Sequence, residues 1–239
     1  MSSSHTDISA NLGIIRRRIH QAAAASGRDP DNIRLIAVSK YMPEDYVRQA
    51  MLAGQYRFGE NTIQDALSKQ TLIDDPTTEW HFIGHLQSNK AKHIPGNFAW
   101  LHTLDSIKLA RKLAHAAAVS ATALRVLLQV NIAGDPGKSG LPATALFRFI
   151  DELLRAELDP LKIRGLMTIG QRDATTTQRR SDFAALYELG QQCARRYGSG
   201  LFREYSMGMS GDFEDAIAEG ATMIRIGSAI FGPRPSAGA

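Results

Sequence analysis

The chain has 239 residues, 44% of them hydrophobic and 22% charged, the balance of an ordinary soluble globular domain. A single cysteine, Cys193, excludes an intrachain disulfide and a cysteine zinc site. No apolar run reaches bilayer length and Met1–His5 carry no apolar signal core, so a cytoplasmic location is expected and a membrane partner is not.

An amphipathic helix is predicted over Asp7–Ala25, stopped by Gly27 and Pro30. Short apolar runs then alternate with helical patterns. The predicted strands are Arg34–Ser39, Tyr56–Phe58, Trp80–Ile83, Trp100–Thr103, Arg125–Asn131, Lys162–Met167, Glu204–Ser206 and Met223–Ile226. Helical patterns between them include Pro43–Ala53, Ser106–Ala118, Pro142–Leu154, Ser181–Arg196 and Gly211–Glu219. Eight strands alternating with helices predict an α/β protein: one closed (β/α)8 barrel of the TIM type with an extra N-terminal helix. An open doubly wound sheet is the structural rival. The barrel takes nearly all of the chain, so one domain over 1–239 is expected, with short tails at 1–6 and 234–239.

Lysine and arginine outnumber acids 28 to 24, a net charge of +4 that raises a nucleic-acid surface as a possibility. The basic clusters Arg16-Arg17-Arg18, Arg179-Arg180 and Arg195-Arg196 sit in predicted helices with no aromatic residues interleaved. Solvated helix faces are therefore favoured and nucleic acid is not expected as a partner. His81 and His85 stand four apart but bracket a strand end rather than sharing a helix face, so no metal pair is read there. Trp80, Phe58 and Phe82 read as strand packing, and Glu60 and Asn61, polar at a strand end, as candidates for a pocket.

Active sites of such barrels gather at the C-terminal ends of the strands. Lys40 follows the first strand directly and, by period-two alternation, shares the face of Ile36 and Val38. At an apolar rim it loses hydration, which favours a neutral amine able to attack an aldehyde; a lysine reaching into water is the competing reading. Arg225 lies within the last strand, where a guanidinium is enclosed and needs a carboxylate or an electron-rich ligand atom. Ser206–Gly211 and Gly227–Gly232 form glycine-containing turns after the last two strands, the usual phosphate position of barrels, although tight bends capped by Asp212 or Glu214 would look the same.

Several ordered motifs resemble the pyridoxal phosphate homeostasis protein family, whose barrel is of the alanine racemase N-terminal type. They are Val38-Ser39-Lys40, Phe58-Gly59-Glu60-Asn61, the run Trp80–Lys90, Lys138-Ser139-Gly140, Arg164-Gly165-Leu166-Met167, Ser206–Ser210 and Arg225–Gly232. The resemblance implies pyridoxal 5′-phosphate held as an aldimine on Lys40, with Arg225 at the pyridine nitrogen. It also implies phosphate contacts from Ser206, Gly227 and Ser228 with backbone help at Gly208 and Met209, while Asn61 and Met167 line the pocket. Ser228 stands where many relatives have threonine, which keeps the hydroxyl. Lys138 is read as a surface lysine rather than a second amine.

The function implied is a non-catalytic carrier and regulator of vitamin B6 and amino-acid pools that passes its cofactor to apo-enzymes. The alternatives are a racemase or other cofactor-dependent enzyme, and a Schiff-base aldolase using Lys40 alone. A racemase needs bases on both faces of the substrate α-carbon, and arginine at the pyridine nitrogen weakens the electron sink. A monomer is expected, with a dimer as the alternative.

Overall fold

The computed structural model describes residues 6–171 and 173–233; the predicted tails lie outside them except for Thr6. The chain opens with α1 (Ile8–Ala25), whose N-cap Asp7 accepts the Ala10 N–H at 2.9 Å. Its buried residues Ile8, Leu12, Ile15, Ile19 and Ala23 recur every three or four positions and make one apolar face. There follow β1 (Arg34–Val38), α2 (Glu44–Leu52), β2 (Arg57–Glu60), α3 (Ile63–Ile73), β3 (Glu79–Phe82), β4 (Trp100–Leu104), α4 (Ile107–Val119) and β5 (Leu124–Asn131). The second half continues with β6 (Leu141–Pro142), α5 (Leu146–Arg155), β7 (Leu161–Met167), α6 (Thr176–Tyr197), β8 (Glu204–Ser206), α7 (Phe213–Ala218), β9 (Met223–Ile226) and α8 (Ser228–Phe231).

Eight of these strands close a parallel barrel in the order β1-β2-β3-β4-β5-β7-β8-β9, with β9 pairing back to β1 through Arg34–Met223 to Ala37–Ile226. Every predicted strand is present, with ends displaced by at most two residues. The two-residue β6 was not anticipated; it lies beside the end of β5. The pattern expected as helix from Pro142 begins extended and becomes α-helical only at Leu146, because proline has no N–H to join a helical ladder. Helix α3 was absent from the expected helices. Its buried face carries Lys69 among Ile63, Ala66 and Ile73, and a lysine there interrupts the apolar period. A 3-10 helix, Ser88–His93, connects β3 to β4.

Strand alternation sorts the core into two parts. Ile36, Trp100, Leu127, Met167 and Met223 form a small cluster inside the barrel. The much larger cluster between strands and helices includes Phe58, Leu101, Val126, Leu166 and Ile224. Trp80 packs on Phe58 and Phe82 on Phe98, as expected of strand packing. The basic clusters are tied down along helix faces: Arg18 to Glu214, Arg180 to Glu219, Arg195 to Glu188 and Arg196 to Asp151. Among the described residues no helix is long and apolar enough to cross a membrane, and no three His, Cys, Asp or Glu are grouped to hold a metal ion. His81 is buried on β3 whereas His85 is exposed beyond it.

Candidate functional site

A cavity of about 380 Å³ opens where β1, β2 and β9 end. Lys40, Asn61, Met209, Arg225, Gly227 and Ser228 all line it, so six of the nine expected residues meet on one wall system. Lys40 and Arg225 are the only ionisable side chains among the described residues lining it. Apolar contact comes from Val38, Met42, Ile83 and Ile169. Met167, Ser206 and Gly208 lie behind the wall, inside the barrel or in the turn that supports it.

Lys40 is half-buried in a tight turn closed by the Met42 N–H on the Ser39 carbonyl at 3.0 Å. Tyr41, next in the turn, has φ 63, a left-handed conformation that a non-glycine residue adopts at a cost of about 1–3 kcal/mol. Outside the strand, Lys69 from α3 holds that turn. Its ammonium donates to the Ser39 carbonyl at 2.7 Å, to Glu60 Oε1 at 2.8 Å and to Asp65 Oδ2 at 2.9 Å. Asp65 Oδ2 also accepts the Tyr41 N–H at 3.1 Å, and the Ser39 hydroxyl donates to Glu60 Oε1 at 2.7 Å. Glu60 thus faces away from the pocket, since Gly59 takes the inward position where a Cβ would stand 3.1 Å from Ile36. Burial, opposed by Lys69, pushes the Glu60 carboxyl up to about 7. One ammonium shared by two carboxylates leaves room for one proton among them.

Arg225 is 4% exposed and, among the described residues, has no carboxylate at hydrogen-bond distance. Its Nη1 donates to Ser206 Oγ at 2.6 Å and its Nη2 to the Thr168 carbonyl at 2.8 Å, both neutral partners. Burial lowers its pKa to about 10, with only Asp212 pulling the other way, so the guanidinium remains charged near neutrality. Ser206 Oγ also meets His102 Nδ1 at 2.9 Å. Its hydroxyl is therefore engaged by protein groups on the inner side of Arg225.

The turn after β8 is organised by Asp212, whose Oδ1 accepts the Met209 N–H at 2.6 Å. Gly208 has φ 92, and a Cβ there would come within 2.6 Å of Ala216; its carbonyl accepts the Arg225 N–H at 3.0 Å. Ser210 Oγ accepts the Ala229 N–H at 3.4 Å, tying this turn to the start of α8 beside Ser228. Asn61 is set by contact with Gly84, where a Cβ would stand 2.0 Å from the Asn61 carbonyl oxygen. Lys138 is not a loose surface side chain: its Nζ donates to the Gly170 carbonyl at 2.8 Å.

Comparison with known proteins bears directly on this arrangement. The alanine racemase N-terminal domain family matches residues 10–235. A pyridoxal phosphate homeostasis protein of Pseudomonas aeruginosa is 43% identical, over 95% of this chain and 96% of its own. The chain belongs to this family. PipY of Synechococcus elongatus PCC7942, solved with PLP bound, superposes with a TM-score of 0.79 at 35% identity, covering 90% of this chain and all of that one. An alanine racemase of Clostridium difficile 630 shares the barrel at a TM-score of 0.73 and 13% identity, with 61% of its length covered, a likeness of fold alone.

The amine of Lys40, the enclosed guanidinium with neutral protein partners, and the small-residue turns beside Ser228 fit an anionic pyridine aldehyde. Reasoning from sequence missed Lys69, Asp65 and His102. Asp65 and Lys69 are an i,i+4 pair, the one signal that was legible; His102 lies in a strand and offers no local sign of its partner at Ser206, 104 residues away.

Proposed function

We propose that this protein holds pyridoxal 5′-phosphate through a reversible covalent link to the Lys40 amine, stores it, and releases it to apo-enzymes without turning over amino acids. The reading rests on one observation: Lys40 and Arg225 are the only ionisable side chains lining the pocket among the described residues. When bound, the cofactor would supply an aldehyde for the amine and an electron-poor ring. Arg225, charged and donor-only, would give an N–H to the ring nitrogen without protonating it, which weakens the ring as an electron sink. Gly227, Ser228 and the turn at Gly208 and Met209 would hold the phosphate, with Asn61 and Met167 flanking the ring from the wall and from behind it.

A racemase needs a second base opposite Lys40. None of Tyr41, Tyr46, Tyr56, Tyr187, Tyr197 and Tyr205 is among the residues that line the pocket. The cavity would hold the aldehyde against Lys40 at the barrel mouth and so limit its reaction with stray amines. A cytoplasmic monomer completes this reading, and Cys193, buried and raised to about 11 by burial, takes no part in it.

Borohydride reduction of the loaded protein followed by peptide mapping is expected to fix the ligand to the Lys40 peptide; label chiefly on Lys138 or Lys90 would overturn that assignment. Incubation with single amino acids in deuterated water, with Lys40→Ala as control, is expected to give no α-proton exchange at an enzymatic rate. Robust Lys40-dependent racemisation of any amino acid would replace the carrier by an enzyme.

A further inference from the structure

The barrel interior contains a continuous polar line that the pocket itself does not require. It starts at Arg225, passes through Ser206 Oγ (2.6 Å) to His102 Nδ1 (2.9 Å), and continues from His102 Nε2 to His81 Nδ1 (2.9 Å). It ends where His81 Nε2 meets Glu79 Oε1 at 3.0 Å. Glu79 is the first residue of β3, at the opposite end of the barrel from the pocket, where Arg125 also reaches it at 3.1 Å. Both imidazoles are fully buried, and His81 lies parallel to Trp100, 4° between the planes.

The carboxylate end dictates the direction. Glu79 can only accept, so a neutral His81 carries its hydrogen on Nε2 and accepts at Nδ1; at the other end Ser206 Oγ accepts from the donor-only guanidinium and has a hydrogen left to give. His102 then carries its hydrogen on Nε2 and donates it to His81 Nδ1. His81 in turn carries its hydrogen on Nε2 and donates it to Glu79, an acceptor held ionised down to about 2 chiefly by that same bond. Burial lowers the pKa of both histidines, in keeping with two neutral rings. With both rings neutral, reversing the chain would leave a bare His81 Nε2 lone pair facing the Glu79 carboxylate.

We propose that Ser206, His102 and His81 are positioning residues for Arg225, forming a one-way hydrogen-bond chain that locks the guanidinium plane for the ligand's ring nitrogen. The proposal rests on the reading of the pocket given above. The groups that Arg225 itself touches are neutral, and the chain's one carboxylate, Glu79, lies at the far end; the guanidinium is oriented with no carboxylate of the described residues at hydrogen-bond distance. It also gives Ser206 a task distinct from phosphate binding.

Ring and guanidinium nitrogens observed by NMR in ligand-free protein test the chain independently of any cofactor. Both histidines are expected as single, neutral Nε2–H tautomers at neutral pH, with the two Nη groups of Arg225 resolved by slow rotation. Either ring found as the Nδ1–H tautomer or doubly protonated overturns the proposal. Ser206→Ala is expected to speed Arg225 rotation at least tenfold, and Ser206→Thr to restore it; unchanged Arg225 signals in folded Ser206→Ala overturn it. If the alanine variant does not fold, the tautomers of the unsubstituted protein decide. With ligand, Ser206→Ala is expected to shift the absorption band and weaken pyridoxal and pyridoxal 5′-phosphate alike. A loss confined to the phosphorylated ligand would make Ser206 a phosphate contact and overturn the chain's role. Failure of the unsubstituted protein to bind either ligand would remove the proposed function while leaving the tautomer result to stand or fall alone.

Discussion

Two cations are buried at the same end of this barrel, on opposite sides of its wall. Lys69, outside the strands, is met by two carboxylates and a carbonyl within 2.9 Å. Arg225, inside them, is met by a hydroxyl and a carbonyl. Enclosed charge without an opposite partner is costly, so proteins keep it where it acts. Lys69 is a structural clamp whose charge is cancelled on the spot; it fixes the turn that aims Lys40. The charge of Arg225 is left for whatever enters the cavity. The contrast separates residues that build the site from residues that meet the ligand, although both types are cationic and buried.

Removing the clamp should have the largest effect. Lys69→Met leaves Glu60 and Asp65 facing one another around an uncompensated site, and breaking a buried pair in this way costs about 3–5 kcal/mol. Chemical denaturation should show that loss, with slower capture of the aldehyde as the Lys40 turn loosens. An equal loss of stability in Arg225→Met would erase the distinction between the two cations.

Glu60→Gln sharpens the same comparison through pH. A carboxyl raised from 4.5 to about 7 on folding stays protonated in the folded chain while the unfolded chain has ionised. Its contribution to stability therefore falls as pH rises through that window and stays low above it. Glutamine does not titrate, so between about pH 4 and pH 8 the balance should move in the variant's favour by about 3 kcal/mol. A parallel pH dependence of the two proteins in denaturation experiments would show Glu60 to be ionised throughout.

Arg225→Ala should leave a folded barrel yet retain pyridoxal 5′-phosphate more weakly, by about 1.5–3 kcal/mol for one hydrogen bond to a charged group. The absorption band of the bound ligand should move as well. A folded variant with unchanged affinity and spectrum would mean that this guanidinium serves only the protein. Ser228→Ala is the smallest change: a loss at the lower end of that range, about 1.5 kcal/mol, confined to the phosphorylated ligand. Equal losses for pyridoxal and its phosphate would put Ser228 away from the phosphate.

Much of the fold was legible in the sequence because the strand signal is local. Runs such as Leu35–Val38 and Met223–Ile226 are short, apolar and bounded by turns, and eight of them alternating with helical patterns leave few architectures. The strand-end position of Lys40 and its parity with Ile36 and Val38 are equally local, as is the enclosure of Arg225 within a strand. The tertiary structure decided what those residues touch. Helix α3 escaped notice because Lys69 spoils its apolar face, and only the approach of Ser39 and Glu60 shows why a lysine belongs there. Glu60, which read as a pocket residue, proved to face the helices because strand parity gives the inward place to Gly59. Ser206 and His102 are 104 residues apart, and Arg225 and Thr168 are 57 apart. Hydrogen bonds between different strands inside a closed barrel depend on register and closure, which are global properties, and no local pattern in the chain encodes them.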